Sequence, residues 1–213
     1  MPSATTMTLP DRLPLFPLSD AVLFPDVYLP LHIFEQCYRA LTRHALDGNK
    51  LIGMTVLRDG WQGAPGATPP IYMTGCAGTI VHHEALEDGR FNIVLQGVAR
   101  FEVAAEVDDG TSYRIARVRW LQEPEAAQDR VALTTVRRQI EALLLPALTR
   151  GEVQMPPRLS DHALVNAISQ ALDVPVLEKL ALLEKPTVLT RGHALLPLLE
   201  RRLIQHGGDG SVH

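Results

Sequence analysis

The chain has 213 residues, of which 46% are hydrophobic and 21% charged, and its formal net charge is −4. This composition is typical of a soluble globular protein, and the apolar runs are far too short to span a membrane. The acidic balance, without a run of Lys or Arg, argues against a nucleic-acid partner, because phosphate binding needs clustered positive charge.

The first residues of the chain and its two cysteines indicate in which cellular compartment the protein is expected. Residues 1–8 are small and polar, without a cationic start and a long apolar region, so no signal peptide is expected. Cys37 and Cys76 both lie among apolar neighbours. Two such thiols in a chain of this length indicate a reducing environment in which each packs as a small hydrophobic residue. The expected location is the cytoplasm.

Apolar runs interrupted by prolines open the chain. Because proline fixes φ and lacks an N–H, Leu13–Leu18 is expected to be a short edge strand and not a central one. Tyr28–Leu31 is expected to be a second extended piece. From Ile33 apolar residues recur at steps of three and four, which predicts an amphipathic helix ending at Gly48. The residues of its apolar stripe, all expected to face the core, are Ile33, Phe34, Cys37, Tyr38, Leu41 and Ala45.

Short segments with alternating or continuous apolar residues follow as far as Leu121. They are separated by glycine-containing turns at residues 87–90 and 108–110, and Gln96-Gly97 marks a bend or bulge. Gly53 lies where another backbone is expected to approach closely. Many short strands with one helix predict a small closed or nearly closed antiparallel β-barrel.

The pattern changes to helical spacing after Pro124. Ser160 is a good N-cap, Pro175 suits the first turn of a helix, and Lys185-Pro186-Thr187 ends one helix and caps the next. We therefore predict an α+β fold: a β-barrel domain with one helix over 1–122, an α-helical bundle over 123–206 and a disordered tail over 207–213.

Three motifs resemble the Lon protease N-terminal domain family over about residues 9–206. The first is P-L-F-P-L-x-D-x-V-L-F-P followed by L-P-L-x-I-F-E-x-x-Y-R-x-L, within residues 14–41. The second is G-C-A-G-T-I followed by G-R-F-N-I-V-L-Q-G-V-A-R-F, and the third is E-K-L-A-L-L-E at residues 178–184. The resemblance implies a PUA-like barrel, a helical tail and a free-standing module that recognises substrate polypeptide.

The sequence contains no G-x-x-x-x-G-K-[ST] phosphate loop, and its length leaves no room for a protease domain with a Ser-Lys dyad. We therefore expect no enzymatic activity and no cofactor. His82 and His83 are adjacent on a predicted strand and point to opposite faces, so no metal site is expected. Cys37 lies on an apolar helix stripe without an activating partner, which favours packing over catalysis.

A loop rich in glycine and proline carries the candidate binding residues. Trp61, Ile71, Tyr72 and Met73 combine apolar and aromatic side chains on this loop, a combination suited to binding exposed apolar segments of a partner. The competing interpretation is that Ile71 and Met73 begin a strand and that Trp61 covers the barrel.

The expected function is a non-catalytic polypeptide-binding module for unfolded or tagged chains, acting as an adaptor in protein quality control with a protease or chaperone partner. The alternative is an enzyme that binds a small molecule at the barrel mouth or in the inter-domain cleft. Neither a nucleic-acid nor a membrane partner is expected.

Overall fold

The computed structural model describes residues 9–58, 60, 68–124, 127–149 and 159–207. The predicted contact Trp61 and residues 208–213 of the tail predicted over 207–213 lie outside the described residues, whereas Gly207 is the last residue of a helix. The elements in chain order are β1 (Arg12–Leu18), β2 (Tyr28–Ile33), α1 (Gln36–Asp47), β3 (Leu51–Val56), β4 (Thr74–Ala85), β5 (Phe91–Val107), β6 (Arg114–Trp120), α2 (Ala127–Thr149), α3 (Asp161–Ala171), α4 (Val176–Leu183) and α5 (Val188–Gly207).

The strands form one mixed sheet in the order β2-β5-β4-β3-β1-β6. The long strand β5 also pairs with β6, so the pairings return to β5 through β4, β3, β1 and β6, while β2 remains at an edge. The prediction of purely antiparallel pairing is wrong, because β1 and β3 are parallel. The chain passes through β2 and α1 between them, and such a long crossover allows two strands to run in the same direction.

The expectation that Leu13–Leu18 forms an edge strand is also wrong, because β1 lies between β3 and β6. The two pairings are staggered along β1. Pro14 lies in the part that pairs with β6, and Pro17 lies in the part that pairs with β3. Each proline therefore faces only one partner strand, and its missing N–H need not interrupt that pairing.

A first group of buried residues comes from β1, β3, β4, β5 and β6 and from Ile71, which lies between β3 and β4. Its members are Leu13, Leu15, Leu51, Ile71, Ala77, Phe101, Val103, Ala116 and Val118. Gly53 allows this close packing, since a Cβ there would lie 2.8 Å from Cδ2 of Leu15 and 3.0 Å from Cζ of Phe101. The atoms that approach Gly53 closely belong to side chains, so the prediction that another backbone approaches there is wrong.

A larger buried cluster joins the strands to the helices. It includes Phe24, Ile33 and Leu95 from the β-rich part together with Leu133 and Leu164 from the helical part. The predicted division near residue 122 therefore falls within a continuous apolar core. None of the helices in the described residues combines the length and apolarity that crossing a membrane requires.

The helical part follows the predicted caps. Ser160 Oγ accepts a hydrogen bond from the N–H of Ala163 at 3.1 Å, and Thr187 Oγ1 accepts one from the N–H of Thr190 at 3.2 Å. Helices α2, α3 and α5 contact one another, and α4 contacts α3 and α5. The buried face of α5 is formed by Val188, Arg191, Leu195 and Leu199. The spacing of leucines in the sequence predicts a stripe of Leu189, Leu196, Leu199 and Leu203, and of these only Leu199 is fully buried.

Arg191 is 0% exposed and forms the centre of a buried polar cluster. Its guanidinium donates to Glu123 Oε1 at 2.7 Å, to Asn166 Oδ1 at 2.5 Å and to the Leu182 carbonyl at 3.1 Å. Arg100, also buried, forms an ion pair with the same carboxylate. Burial lowers the pKa of Arg100, and the carboxylate of Glu123 opposes that shift. Two buried cations therefore depend on one anion.

The first helix begins later than its spacing predicts. Ile33 ends β2 and α1 begins at Gln36, which leaves Phe34 62% exposed between the two elements. The expectation that Phe34 belongs to the core is therefore wrong. Tyr38 is half-buried, and its ring centroid lies 4.2 Å from that of Phe16.

The carboxylate of Glu123, which Arg100 and Arg191 share, is expected to contribute strongly to the free energy of unfolding. Glu123→Gln leaves two buried guanidinium groups without their anion, so we expect the free energy of unfolding to fall by about 3–5 kcal/mol. The matched control is Glu102→Gln, which removes an exposed ion pair with Arg119 and should cost less than about 1 kcal/mol. Urea unfolding of the two variants measures the difference, and equal losses would contradict the prediction.

The exposure of Phe34 makes a second prediction. We expect Phe34→Ala to change the free energy of unfolding by no more than about 0.5 kcal/mol, because its ring contributes little to the core. The same change at the fully buried Phe101 should cost about 3–5 kcal/mol. Urea unfolding distinguishes the two, and a large loss at Phe34 would show that its ring packs in solution.

Candidate functional site

The residues predicted as polypeptide contacts do not form one exposed cluster. Ile71 is 5% exposed, pairs with Leu57 and belongs to the buried group that β1, β3, β4, β5 and β6 share. Tyr72 is half-buried, with the guanidinium carbon of Arg58 5.3 Å from its ring centroid. Met73 is 42% exposed. Of the described residues in this set, Met73 and part of Tyr72 are therefore available to a partner.

Backbone hydrogen bonds explain these positions. The N–H of Tyr72 donates to the Val56 carbonyl at 2.8 Å, and the N–H of Val103 donates to the Met73 carbonyl at 2.8 Å. Residues 71–73 are thus hydrogen-bonded to the sheet and do not form a free loop. Because side chains alternate along extended backbone, Ile71 points inward while Tyr72 does not.

A different exposed surface, which the sequence analysis did not identify, lies on the edge strand. Tyr28, Pro30 and His32 share one face of β2, and Phe34 follows directly. Tyr28 is 57% exposed, and the rings of His32 and Phe34 are stacked with centroids 6.2 Å apart. We call these four residues the outer β2 face. The sequence signal for this surface is the alternation of side chains between two faces from Tyr28 to Phe34. This alternation continues past Ile33, where the helical spacing places the start of the first helix.

Alternation explains why these side chains face solvent. Leu29, Leu31 and Ile33 lie on the opposite face of β2 and pack against the large core cluster. Burial of those three side chains sets the orientation of the strand, so the residues between them must point away from the core.

A row of polar side chains crosses the strands beside Phe34. His32 Nδ1 lies 2.8 Å from Asn92 Oδ1, and Asn92 Nδ2 donates to Glu84 Oε2 at 2.9 Å. Arg90 Nη1 lies 3.3 Å from His32 Nε2. Since a guanidinium can only donate, Nε2 accepts and the proton of the neutral ring lies on Nδ1, from which it is donated to Asn92. The row holds the imidazole ring in one orientation.

A shallow depression of about 360 Å³ adjoins this row. It is lined by Pro30, Leu31, His32, His82, Asn92, Ile93 and Val94. His82 pairs with Val94 and His83 with Ile93, so the two adjacent histidines lie on opposite faces of β4, as predicted. Within the described ranges, no three His, Cys, Asp or Glu side chains are grouped so that they could hold a metal ion.

The junction between strands and helices contains a smaller cleft of about 190 Å³. Its lining residues are Pro25, Asp26, Glu123, Pro124, Asp129, Leu133, His162, Asn166, Thr187, Val188 and Leu189. The carboxylate of Glu123 in this cleft already pairs with Arg100 and Arg191. It is therefore poorly suited to act as an acid or base.

The two cysteines differ in environment. Cys76 is fully buried, and burial raises the pKa of its thiol well above the ordinary value. Cys37 is half-buried on α1, although its apolar spacing predicts full packing. The buried face of α1 is formed by Leu41, Thr42 and Ala45, so the predicted burial of Leu41 and Ala45 is confirmed while that of Cys37 is only partial.

Comparison with known proteins agrees with the family predicted from the motifs. The model of the ATP-dependent protease La (LON) substrate-binding domain matches residues 12–201. Lon protease of Anaeromyxobacter dehalogenans and Lon protease 2 of Myxococcus xanthus are each 30% identical over 206 residues, covering 91% of this chain and 24% of the relative. The chain thus spans about a quarter of the length of these relatives.

Two solved structures share the fold. The N-terminal domain of Mycobacterium avium complex Lon protease has a TM-score of 0.70 at 17% identity, covering 89% of this chain and 98% of that one. The Lon N-terminal domain protein from Xanthomonas campestris has a TM-score of 0.57 at 21% identity, covering 87% and 97%. Together with the family match over most of its length, these similarities show that the chain belongs to the Lon protease substrate-binding domain family.

Proposed function

We propose that the chain binds segments of unfolded polypeptide through the outer β2 face and performs no chemistry on them. The observation that carries the proposal is a pair of aromatic side chains that are both more than half exposed, Tyr28 at the start of the edge strand and Phe34 directly after its end. Membership of a family described as substrate-binding supports the same function.

The size of this surface suits transient binding. Burying a large apolar side chain contributes roughly 1.5–3 kcal/mol, so two aromatic residues with Pro30 between them provide a modest total before the cost of association is subtracted. Tyr and Phe have few rotatable bonds, and a rigid apolar surface without a deep pocket accepts many sequences. We therefore expect weak binding with little sequence preference.

Tyr72 and Met73, together with Trp61, remain a second proposed contact surface. The Met73 carbonyl accepts a hydrogen bond from Val103 of β5, whereas β2 pairs with residues 91–96 of β5. Val103 follows Gln96 by seven residue steps along the strand, which corresponds to about 23 Å. The two surfaces can therefore be tested independently.

The proposal includes an architecture, a location and a partner class. The ring of strand pairings supports a small barrel, and the contacts among α2 to α5 support a helical bundle, with the division near residues 122–125. The proposed location is the cytoplasm. An adaptor role that presents bound polypeptide to a protease or chaperone follows from similarity to proteins named Lon protease.

Titration of a permanently unfolded, labelled protein tests the binding surface. We expect Tyr28→Ser/Phe34→Ser to weaken binding at least about tenfold, since two apolar contacts are lost. The matched control is Val131→Ser/Ile204→Ser, which removes two exposed apolar side chains from α2 and α5. Tyr72→Ser/Met73→Ser tests the second surface in the same assay. Equal affinity of wild type and the Tyr28/Phe34 variant, with folding intact, would remove the outer β2 face from consideration.

A separate prediction concerns catalysis. The purified chain should neither hydrolyse ATP nor cleave casein, because the sequence has no phosphate loop and resembles a substrate-binding domain. Turnover above background that co-purifies with the protein through a further column would contradict this.

A further inference from the structure

We propose that a bound polypeptide segment adds to the sheet as a short strand, pairing its backbone with the free edge of β2 at Pro30 and His32. The inference rests on the proposed function, since it gives the binding mode of the same surface. In the part of the chain that the structure describes, β2 pairs with β5 alone, so its other edge has no neighbouring strand.

Three observations show which backbone groups of β2 point to the free edge. The N–H of Gly97 donates to the Val27 carbonyl at 2.9 Å, so this carbonyl points toward β5, whereas the Gly97 carbonyl accepts from the N–H of Asp26 at 2.9 Å. Hydrogen-bonded and non-hydrogen-bonded pairs alternate in an antiparallel ladder, so Tyr28, Pro30 and His32 belong to the second kind and direct their backbone groups away from β5. Pro30 is consistent with this assignment, because a residue that lacks an N–H loses no hydrogen bond to β5 at a position that faces away from β5.

The third observation is the side chain of Gln170 on α3. Its amide Nε2 donates to the outward carbonyl of Tyr28 at 2.9 Å, while its Oε1 accepts from the N–H of Phe24 at 3.0 Å. The primary amide thus takes the place that a peptide group of an adjoining strand would occupy. Gln170 therefore occupies the edge of β2 at Tyr28, and an added strand can pair with the residues that follow Tyr28.

Beyond Gln170, the edge offers the carbonyl of Pro30 and both backbone groups of His32. Across the described residues these three groups form no hydrogen bond with another part of the chain. Both residues are exposed. A partner strand can therefore donate to two carbonyls and accept from one N–H.

The side chains on the two faces of β2 define the chemistry of the partner. An added strand places alternate side chains beside Tyr28 and Phe34 on the outer face, and the others beside Leu29 and Leu31, which are only partly buried. The segment that fits is extended, carries apolar side chains on at least one face, and lacks proline at the residues that donate to β2. A native helix or a packed strand cannot supply such a backbone, which makes unfolded polypeptide the matching partner.

Pro30 limits this pairing without preventing it. One missing donor in the middle of the edge shortens the continuous ladder, which restrains the pairing of one copy of β2 with another. The N–H of His32 keeps the remaining part usable by a mobile segment. Main-chain pairing also explains how the site can accept varied sequences, since every residue other than proline has the same backbone groups.

Backbone methylation of the ligand tests the mode on the wild-type protein. The probe is a labelled ten-residue peptide of alternating Val and Thr with one Tyr, made in three forms: unmodified, N-methylated at two even positions, and N-methylated at two odd positions. An added strand directs only one set of N–H groups toward β2, so methylation of that set should lower the affinity about tenfold and methylation of the other set should have little effect. Equal affinity of all three forms overturns the proposal.

Substitutions in β2 provide a second test with a matched control. His32→Pro removes the outward N–H as Pro30 does natively, and we expect it to weaken binding of the unmodified peptide about tenfold. His32→Ala removes the same imidazole but keeps the N–H, so the loss of affinity in His32→Pro beyond that in His32→Ala measures the contribution of the backbone donor, and equal losses in the two variants would contradict strand addition.

The two proposals fail in different ways. If Tyr28→Ser/Phe34→Ser abolishes binding while the methylated peptides and His32→Pro bind normally, the outer β2 face binds through side chains and strand addition is wrong. If wild type binds neither the peptide nor the unfolded protein, the proposed function itself is wrong.

Discussion

The carboxylate of Glu123 is the point on which the rest of the structure depends. It follows the last strand, and it is shared by Arg100 of β5 and Arg191 of α5, whose side chains are both buried. Arg100 also donates to the carbonyls of Leu183 and Pro186 at 2.8 and 3.1 Å, so the turn between α4 and α5 is bound to the sheet. A buried cation without its anion is costly, and this cost favours one arrangement of strands and helices.

The same cluster reaches the candidate binding surface through α3. Asn166 accepts from Arg191 at 2.5 Å and donates to the Pro25 carbonyl at 3.0 Å, and Gln170, one turn further on, bonds to both Phe24 and Tyr28. The segment before β2 is thus held by side-chain amides of a helix from the other half of the chain. The position of the outer β2 face therefore depends on the packing of the helical part, although none of its residues belongs to that part.

An exposed aromatic surface is unfavourable in water, so its position on the fold is informative. Tyr28 is exposed because Leu29, Leu31 and Ile33 occupy the buried face of β2, and Phe34, directly after the strand, continues the same alternation. An edge strand adds unpaired backbone groups to this apolar face. Side-chain contact and main-chain pairing can then act on one partner at one place, which suits binding of a chain that lacks its own structure.

The sequence by itself determined the local features of this protein. Ser160 caps α3 because its hydroxyl bonds the backbone three residues later, and Gly89 and Gly110 form turns because each adopts a positive φ that other residues rarely adopt. The family was also readable, since its motifs are long. Tertiary structure alone decided the parallel pairing of β1 with β3 and the burial of Arg191. Both depend on parts of the chain that are distant in sequence: a crossover and a carboxylate 68 residues away. Periodicity describes one element at a time, so it could not supply them.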